Sequence, residues 1–219
     1  MPTRTTLTAA ALAAAAALTL TACGGSGDDD GKPLADVEAS AKTAAAIALD
    51  QPKAKPDLIL TDTSGKPYDL IKQTAGRPTL VYFGYTYCPD VCPVIMSDIG
   101  IAAQKLPKAE RERLRVVFVT TDPARDTPQR MRQWLDAQGG QDFVGLTGSF
   151  DTIQAAARPL GILVEKPKKE KDGSVTVNHG AQVVAFSPKD DQGHWIYGTD
   201  TTAEQYTKEL PKIVKGENP

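Results

Sequence analysis

The sequence has few of the side chains that bind metals or carry out redox chemistry. Its 219 residues include only three cysteines (Cys23, Cys88 and Cys92) and two histidines (His179 and His194). That scarcity excludes a scaffold held by several disulfides, because at most one disulfide can form within the chain. Charge is nearly balanced, with 25 Lys and Arg against 27 Asp and Glu. The chain therefore lacks the excess of basic residues that would indicate a nucleic acid as its partner.

The sequence also lacks a hydrophobic run long enough to cross a bilayer as a helix of the mature protein. The apolar, alanine-rich stretch from Leu7 to Leu20 is too short for such a span, and Arg4 places a positive charge before it. The stretch leads into Leu-Thr-Ala-Cys23, the pattern of a bacterial lipoprotein cleavage site. We therefore predict that residues 1–22 are a lipoprotein signal peptide and that Cys23 carries lipid. The alternative is an ordinary secretory signal in which Cys23 is incidental.

The segment after the lipidated cysteine is predicted to be a flexible tether. Two glycines, a serine, a further glycine and three aspartates follow Cys23 closely, a composition typical of a solvated linker. Residues 23–55 are assigned to this tether, with a helix over 35–50 and a linker over 51–56. The predicted location is the extracytoplasmic face of the cell membrane. Two thiols exported there form a disulfide unless they are kept reduced or bound to a metal.

Residues 56–214 have the pattern of one α/β domain, followed by a C-terminal tail at 215–219. An early βαβ unit, a late pair of strands and a closing helix predict a thioredoxin-like fold, with a central mixed sheet flanked by helices. The charged stretch 166–173 is predicted to be a solvated loop. In chain order the predicted elements are a hairpin (57–70), a strand (79–83), a helix (89–105), a strand (115–120), a helix (127–137), a strand (143–146), a helix (150–160), two strands (181–186 and 194–197) and a helix (202–214).

Two of the cysteines lie where a buried strand is predicted to pass into a helix. The segment reads Tyr85-Thr-Tyr-Cys88-Pro-Asp-Val-Cys92-Pro93. The free N–H groups and partial positive charge at a helix N-terminus favour thiolate over thiol, as a metal ligand or redox nucleophile requires. A spacing of four places both sulfurs on one face of the first turns. The alternative is a structural disulfide or two buried thiols.

His179 is the candidate for a third ligand. It comes just before the strand predicted at 181–186, in a loop of the kind on which sites are built. Thiolates are soft ligands that select Cu(I), and a neutral imidazole also binds copper. Because two thiolates and one imidazole are one ligand short of a closed zinc site, the set predicts one copper ion per chain. By itself His179 would be interpreted as a surface-loop residue, and His194 as a loop or strand-end residue.

A third segment, Thr121-Asp122-Pro-Ala-Arg125-Asp126-Thr127-Pro128, follows the second buried strand. In a parallel sheet it lies at the same edge as the cysteines. Asp122 is predicted to tune the pKa of the cysteines or to accept a hydrogen bond from a metal ligand. Arg125 is expected to pair with Asp122 or another carboxylate, and Asp126 or Thr127 to cap the next helix.

Together these segments resemble the Sco/SenC family, in the lipoprotein form that some bacteria have. The resemblance rests on Tyr-Cys-Pro-Asp-Val-Cys-Pro at 87–93, on Asp-Pro-Ala-Arg-Asp-Thr-Pro at 122–128 and on His179, and it covers about residues 56–214. It implies a membrane-tethered, thioredoxin-fold copper chaperone for the dinuclear copper centre (CuA) of cytochrome c oxidase. The implied partners are oxidase subunit II and a second copper chaperone or a thiol reductase.

The same resemblance implies roles for individual residues. Copper would be bound by Cys88, Cys92 and His179, with Asp122 in a supporting role. Gly180 is a departure, since members of the family usually have Ser or Thr after the histidine.

Two enzymatic functions are the alternatives to a copper carrier. A thiol–disulfide oxidoreductase that reduces the cysteines of the oxidase subunit would use Cys88 and Cys92, but it has no need of His179. It is also typical of C-x-x-C, whereas this chain has C-x-x-x-C. A peroxiredoxin-like peroxidase needs one attacking thiolate and a resolving partner, and nothing marks either cysteine for these roles.

Overall fold

The computed structural model describes residues 45–219, which form a mixed eight-stranded sheet with helices on both faces. The strand order across the sheet is β1-β10-β9-β4-β5-β6-β2-β3, and β7 pairs with β8 in a separate hairpin. The strands are β1 (Ala46–Ala54), β2 (Ile59–Asp62), β3 (Pro67–Asp69), β4 (Thr79–Gly84), β5 (Arg115–Thr120), β6 (Val144–Thr147), β7 (Lys168–Lys169), β8 (Val175–Thr176), β9 (Val183–Phe186) and β10 (Gln192–Tyr197). The helices are α1 (Leu70–Thr74), α2 (Val91–Lys105), α3 (Lys108–Arg113), α4 (Pro128–Ala137), α5 (Phe150–Ala157) and α6 (Ala203–Lys215), and a 3-10 turn at Arg158–Leu160 extends α5.

The central strand β4 is buried on both faces, as its continuous apolar sequence predicts. Leu80 and Tyr82 point into the core that α2 and α6 cover, whereas Val81 and Phe83 point into the core beneath α5. β4 pairs in parallel with β5 and antiparallel with β9. This arrangement confirms the predicted thioredoxin-like fold with a mixed sheet between helices.

The sheet begins earlier in the chain than the sequence analysis predicts. Residues 46–54, expected to be helix and linker, form the edge strand β1. The prediction that the tether extends to residue 55 is therefore wrong, because residues 46–54 belong to the folded domain. Ala46 pairs with Tyr197 of β10, and the Glu209 carboxylate accepts the N–H groups of Ala45 (2.6 Å) and Ala46 (3.1 Å). Tertiary pairing thus overrides the helical propensity of an alanine-rich segment. Residues 1–44, including Cys23 and the predicted signal peptide, lie outside the described residues.

Smaller differences concern short elements. The helices α1 and α3 are not predicted from the sequence, because five or six residues are too few to show a helical period. The charged stretch predicted to be a loop instead contributes β7 to a hairpin with β8. The remaining predicted strands and helices occur within a few residues of their expected bounds.

Three loops meet at one edge of the sheet. β4 and β5 run in parallel, so their carboxyl ends, followed by residues 85–90 and 121–127, lie side by side. β9 is antiparallel to β4, with Val183 opposite Tyr82, so the loop before β9 reaches the same edge. β1 starts at this edge as well, since Ala46 pairs with the end of β10. No helix within residues 45–219 has the length and apolar character of a membrane span.

We predict that a fragment starting at Pro56 is less stable than one starting at Ala45. Loss of β1 removes its pairing with β10 and leaves the Glu209 carboxylate buried without its two N–H donors. An unsatisfied buried polar group costs about 1–3 kcal/mol, and more if charged. Urea unfolding followed by circular dichroism should show a lower midpoint for the shorter fragment. Equal midpoints would mean that β1 adds nothing to the fold.

Candidate metal centre

The two cysteines occupy the start of α2 and the turn before it. Cys92 is fully buried and Cys88 is half-buried, and neither forms a disulfide. The turn is closed by the Cys88 N–H, which donates to the Tyr85 carbonyl at 3.2 Å. The Cys92 N–H points at the Cys88 sulfur, 3.5 Å away. The predicted strand-to-helix placement of the pair is therefore correct.

The two sulfurs differ in charge. The neighbouring Cys92 thiol lowers the pKa of Cys88 to about 5, with further help from the N–H groups of Asp90 and Cys92. Cys88 in turn, together with burial, raises the pKa of Cys92 far above its ordinary value. At neutral pH the pair thus holds one thiolate, on the exposed side, and one buried thiol.

Tyr82 adds a contact that the sequence analysis missed. Its hydroxyl donates to the Cys92 sulfur at 3.2 Å from inside the core. A signal was present in the sequence, because Tyr82 and Gly84 alternate onto the face of β4 that α2 covers. Gly84 is needed there, since a Cβ at this position would lie 2.7 Å from the Tyr82 ring and 3.2 Å from the Cys92 sulfur.

His179 reaches the cysteines from the loop before β9. Its Nε2 lies 3.9 Å from the Cys92 sulfur, and its Nδ1 lies 3.0 Å from the Gly180 carbonyl oxygen. A carbonyl can only accept, so Nδ1 carries the proton in this hydrogen bond, and the Nε2 side of the ring faces the sulfur. The edges of two tyrosine rings flank the imidazole, Tyr85 at 5.7 Å and Tyr82 at 6.3 Å between ring centroids.

The donor set suits a soft metal ion. Within residues 45–219 no group of three or more His, Cys, Asp or Glu side chains is arranged to hold a metal ion. The sulfur–nitrogen separation of 3.9 Å is nevertheless one that a single ion can bridge, because bonds of about 2.3 Å to sulfur and 2.0–2.1 Å to nitrogen are typical of Zn²⁺. Cys88 and His179 line one groove, and the Cys92 sulfur lies beside the His179 Nε2, so two sulfurs and an imidazole nitrogen lie close together.

Other predicted residues lie elsewhere. The buried Asp122 carboxylate forms an ion pair with Arg125, and no hydrogen bond in the described part of the chain joins it to a cysteine or to His179. Thr127 caps α4, whereas Asp126 does not and is buried in a separate network. His194 lies in β10, and its Nε2 is hydrogen-bonded to the Asp190 carboxylate at 2.8 Å.

The site opens onto an exposed groove. Its walls are formed by Tyr85, Cys88 and Val91 on one side and by Leu163, Val177 and His179 on the other. Leu163 is 61% exposed, although it is a large apolar side chain. The Cys88 side of the pair can therefore be approached by another molecule, while the Cys92 side is closed by the core.

A thioredoxin-like fold that holds a thiolate and a buried thiol at the start of a helix, with an imidazole from a neighbouring loop beside them, defines a class of thiol-based metal-binding and redox proteins. Within that class, the chain belongs to the SCO1/SenC family, whose family model matches residues 48–215. The family suggested by the cysteine and aspartate motifs is therefore confirmed.

Individual relatives agree with this assignment. A protein of Stutzerimonas stutzeri, named for its expected binding of copper, is 34% identical over 142 residues, which cover 65% of this chain and 68% of that protein. SenC of Rhodobacter capsulatus is 35% identical over 136 residues, covering 57% of this chain and 59% of that protein. The chain thus spans about three fifths to two thirds of these relatives. ScoI of Bradyrhizobium japonicum, solved with copper bound, has a TM-score of 0.62 at 28% identity, covering 76% of this chain and 99% of that one.

We predict that iodoacetamide labels Cys88 and spares Cys92 in the reduced, metal-free protein. The thiolate is the reactive form, and Cys88 is both accessible and ionised above about pH 5. Peptide mass spectrometry across pH 4–9 should give a Cys88 midpoint well below the ordinary value of about 8.5. Equal labelling of both cysteines, or a Cys88 midpoint near the ordinary value, would contradict the charge asymmetry.

Proposed function

We propose that this protein is a copper chaperone that binds one copper ion through Cys88, Cys92 and His179 and delivers it to the CuA centre of cytochrome c oxidase. The observation that carries the proposal is the approach of the His179 Nε2 to the Cys92 sulfur, 3.9 Å away, beside the ionised Cys88. Membership of the SCO1/SenC family supports the role in oxidase assembly, and the copper-bound relative supports the metal.

Each side chain has a defined part in holding the ion. Cys88 offers a thiolate without first losing a proton, whereas Cys92 must release its proton when copper binds. The Tyr82 hydroxyl, 3.2 Å from the Cys92 sulfur, stabilises the thiolate left behind. The hydrogen bond from Nδ1 to the Gly180 carbonyl orients the imidazole and keeps Nε2 free.

Three ligands in an open groove suit a carrier better than a permanent store. Copper is the cargo, and a thiolate of the acceptor must be able to join the ion before the carrier's ligands leave. The exposed side of Cys88 and the groove along Leu163 provide that access. Because soft thiolates select Cu(I), the reduced ion is the expected cargo.

We predict that the two histidines differ in their effect on copper binding. Replacing Cys88 or Cys92 with Ser should abolish tight binding. His179→Ala should weaken it by at least about tenfold, since loss even of an orienting partner costs about 10–100-fold, and should change the sulfur-to-copper absorption of the Cu(II) form. His194→Ala is the matched control and should leave both unchanged. Metal analysis and competition titration of the reduced protein provide the measurement. An unaltered His179→Ala protein would remove His179 from the ligand set.

A thiol–disulfide oxidoreductase that reduces the CuA-site cysteines is the second candidate. The ionised Cys88 beside Cys92 favours it, since a low-pKa thiolate with a neighbouring thiol is a redox-active arrangement. This function needs both cysteines but gives His179 no part in the chemistry.

Oxidase activity at limiting copper separates the two functions. A carrier predicts that chromosomal His179→Ala lowers cytochrome c oxidase activity almost as far as the double cysteine variant, with rescue by added copper, while His194→Ala has no effect. Full activity of His179→Ala together with failure of the cysteine variants would assign the protein to thiol chemistry.

Attachment to the membrane forms part of the proposal. Cys23 would carry the lipid and hold the domain near an integral oxidase, which raises its effective concentration there. Cys23→Ser should move the protein out of the membrane fraction or leave the signal peptide uncleaved. Wild-type protein recovered only in the medium, without lipid on its N-terminus, would disprove the anchor.

A further inference from the structure

Asp126 is a fully buried carboxylate in the loop between β5 and α4. Three donors point at it: the Thr86 N–H (2.9 Å), the Thr86 hydroxyl (2.6 Å) and the Thr120 hydroxyl (2.6 Å). Burial raises the pKa of Asp126, and the hydrogen bonds from Thr120 and Thr86 act in the opposite direction. A buried charge is tolerated only with such partners, so the network holds Asp126 and Thr86 in one relative position.

The network extends on both sides of the carboxylate. The Thr86 hydroxyl donates to Asp126 and accepts from the Arg130 Nε at 2.8 Å. The Arg130 guanidinium in turn lies over the Tyr87 ring, 3.8 Å from its centroid. Thr120 accepts the Asp122 N–H at 2.9 Å. The segments 85–88 and 120–126, which are distant in sequence, are therefore joined through one side chain.

Thr86 lies between two parts of the metal centre. Tyr85, just before it, packs its ring edge-on against the His179 imidazole and accepts the Cys88 N–H through its carbonyl oxygen. Cys88 follows two residues after Thr86. A rotation of the Thr86 peptide would therefore move the exposed sulfur and one wall of the histidine pocket together. The Asp126 carboxylate restrains that rotation, because it binds both the N–H and the hydroxyl of Thr86.

We propose that Asp126 is a positioning residue for the metal centre: through Thr86 it holds the 85–88 turn so that Cys88 and Tyr85 face His179. It touches neither sulfur nor imidazole, and its effect passes through the turn. The copper consequence rests on the proposed function, whereas the consequence for the Cys88 thiol does not.

Asp126→Asn is the test variant, with Glu209→Gln as control. The Asp126 carboxylate offers two oxygens to three donors, whereas an Asn side chain offers only one oxygen. A donor from Thr86 or Thr120 therefore loses its acceptor. Glu209 is also a buried carboxylate that accepts two backbone N–H groups, but its partners are Ala45 and Ala46 at the start of β1. Both variants should lose stability, so a general weakening of the fold appears in both.

The expected results separate position from stability. In the reduced, metal-free Asp126→Asn protein, the pH midpoint of Cys88 alkylation should be higher than in the wild type. The loosened turn no longer keeps the Cys88 sulfur within hydrogen-bonding distance of the backbone N–H groups that stabilise its thiolate. Its copper affinity should fall by about 10–100-fold, the usual effect of removing an orienting partner, with an altered sulfur-to-copper spectrum. Glu209→Gln should keep the wild-type profile, affinity and spectrum. A folded Asp126→Asn protein that matches Glu209→Gln in all three would overturn the proposal.

A pair of threonine variants covers the case in which Asp126→Asn does not fold. Thr86→Val removes the hydroxyl and keeps the shape, and it should shift the Cys88 profile as Asp126→Asn would. Thr86→Ser keeps the hydroxyl and should restore the wild-type profile. Identical, wild-type profiles for both would overturn the proposal. If the wild-type protein binds no copper, the proposed function fails, and the thiol profiles still decide the role of Asp126.

Discussion

The parallel pairing of β4 with β5, buried between two layers of helices, is the constraint on which the candidate metal centre depends. Parallel strands end at the same edge of a sheet, so the turn carrying Cys88 and the loop carrying Asp126 become neighbours. The antiparallel strand β9 then starts at that edge and carries His179 to the same place. Because β4 is packed on both faces, a one-residue shift of its register would exchange its side chains between two differently shaped cores, and the edge is therefore held in one arrangement.

The two cysteine sulfurs differ in pKa because one is buried more deeply in the protein than the other. Cys88 lies at the surface and receives hydrogen bonds from the turn, whereas Cys92 lies under Tyr82 in the core of the α2 face. Desolvation penalises a charge on the buried sulfur, so the charge of the pair lies on the outer one. An accessible thiolate with a buried partner suits the exchange of a soft ion that the proposed function requires.

The first described residues lie at the same edge of the sheet as the candidate metal centre. β1 begins at the edge that carries the metal centre, and Glu209 fixes its first residues through two N–H groups. The start of β1, the cysteine turn and the loop of His179 thus share one edge of the sheet.

Patterns local to the chain were enough to predict most of the fold and the three candidate ligands. The continuous apolar runs of β4 and β5, the cysteines at the start of α2 and the order of elements each depend on neighbours within a few residues, so the sequence alone determined them. Only the tertiary structure decided that 46–54 is a strand, that Asp122 pairs with Arg125, that Tyr82 contacts Cys92 and that Asp126 holds Thr86. These features depend on partners from 3 to more than 100 residues away and on burial, which selects one hydrogen-bond partner among several that the same side chain could take.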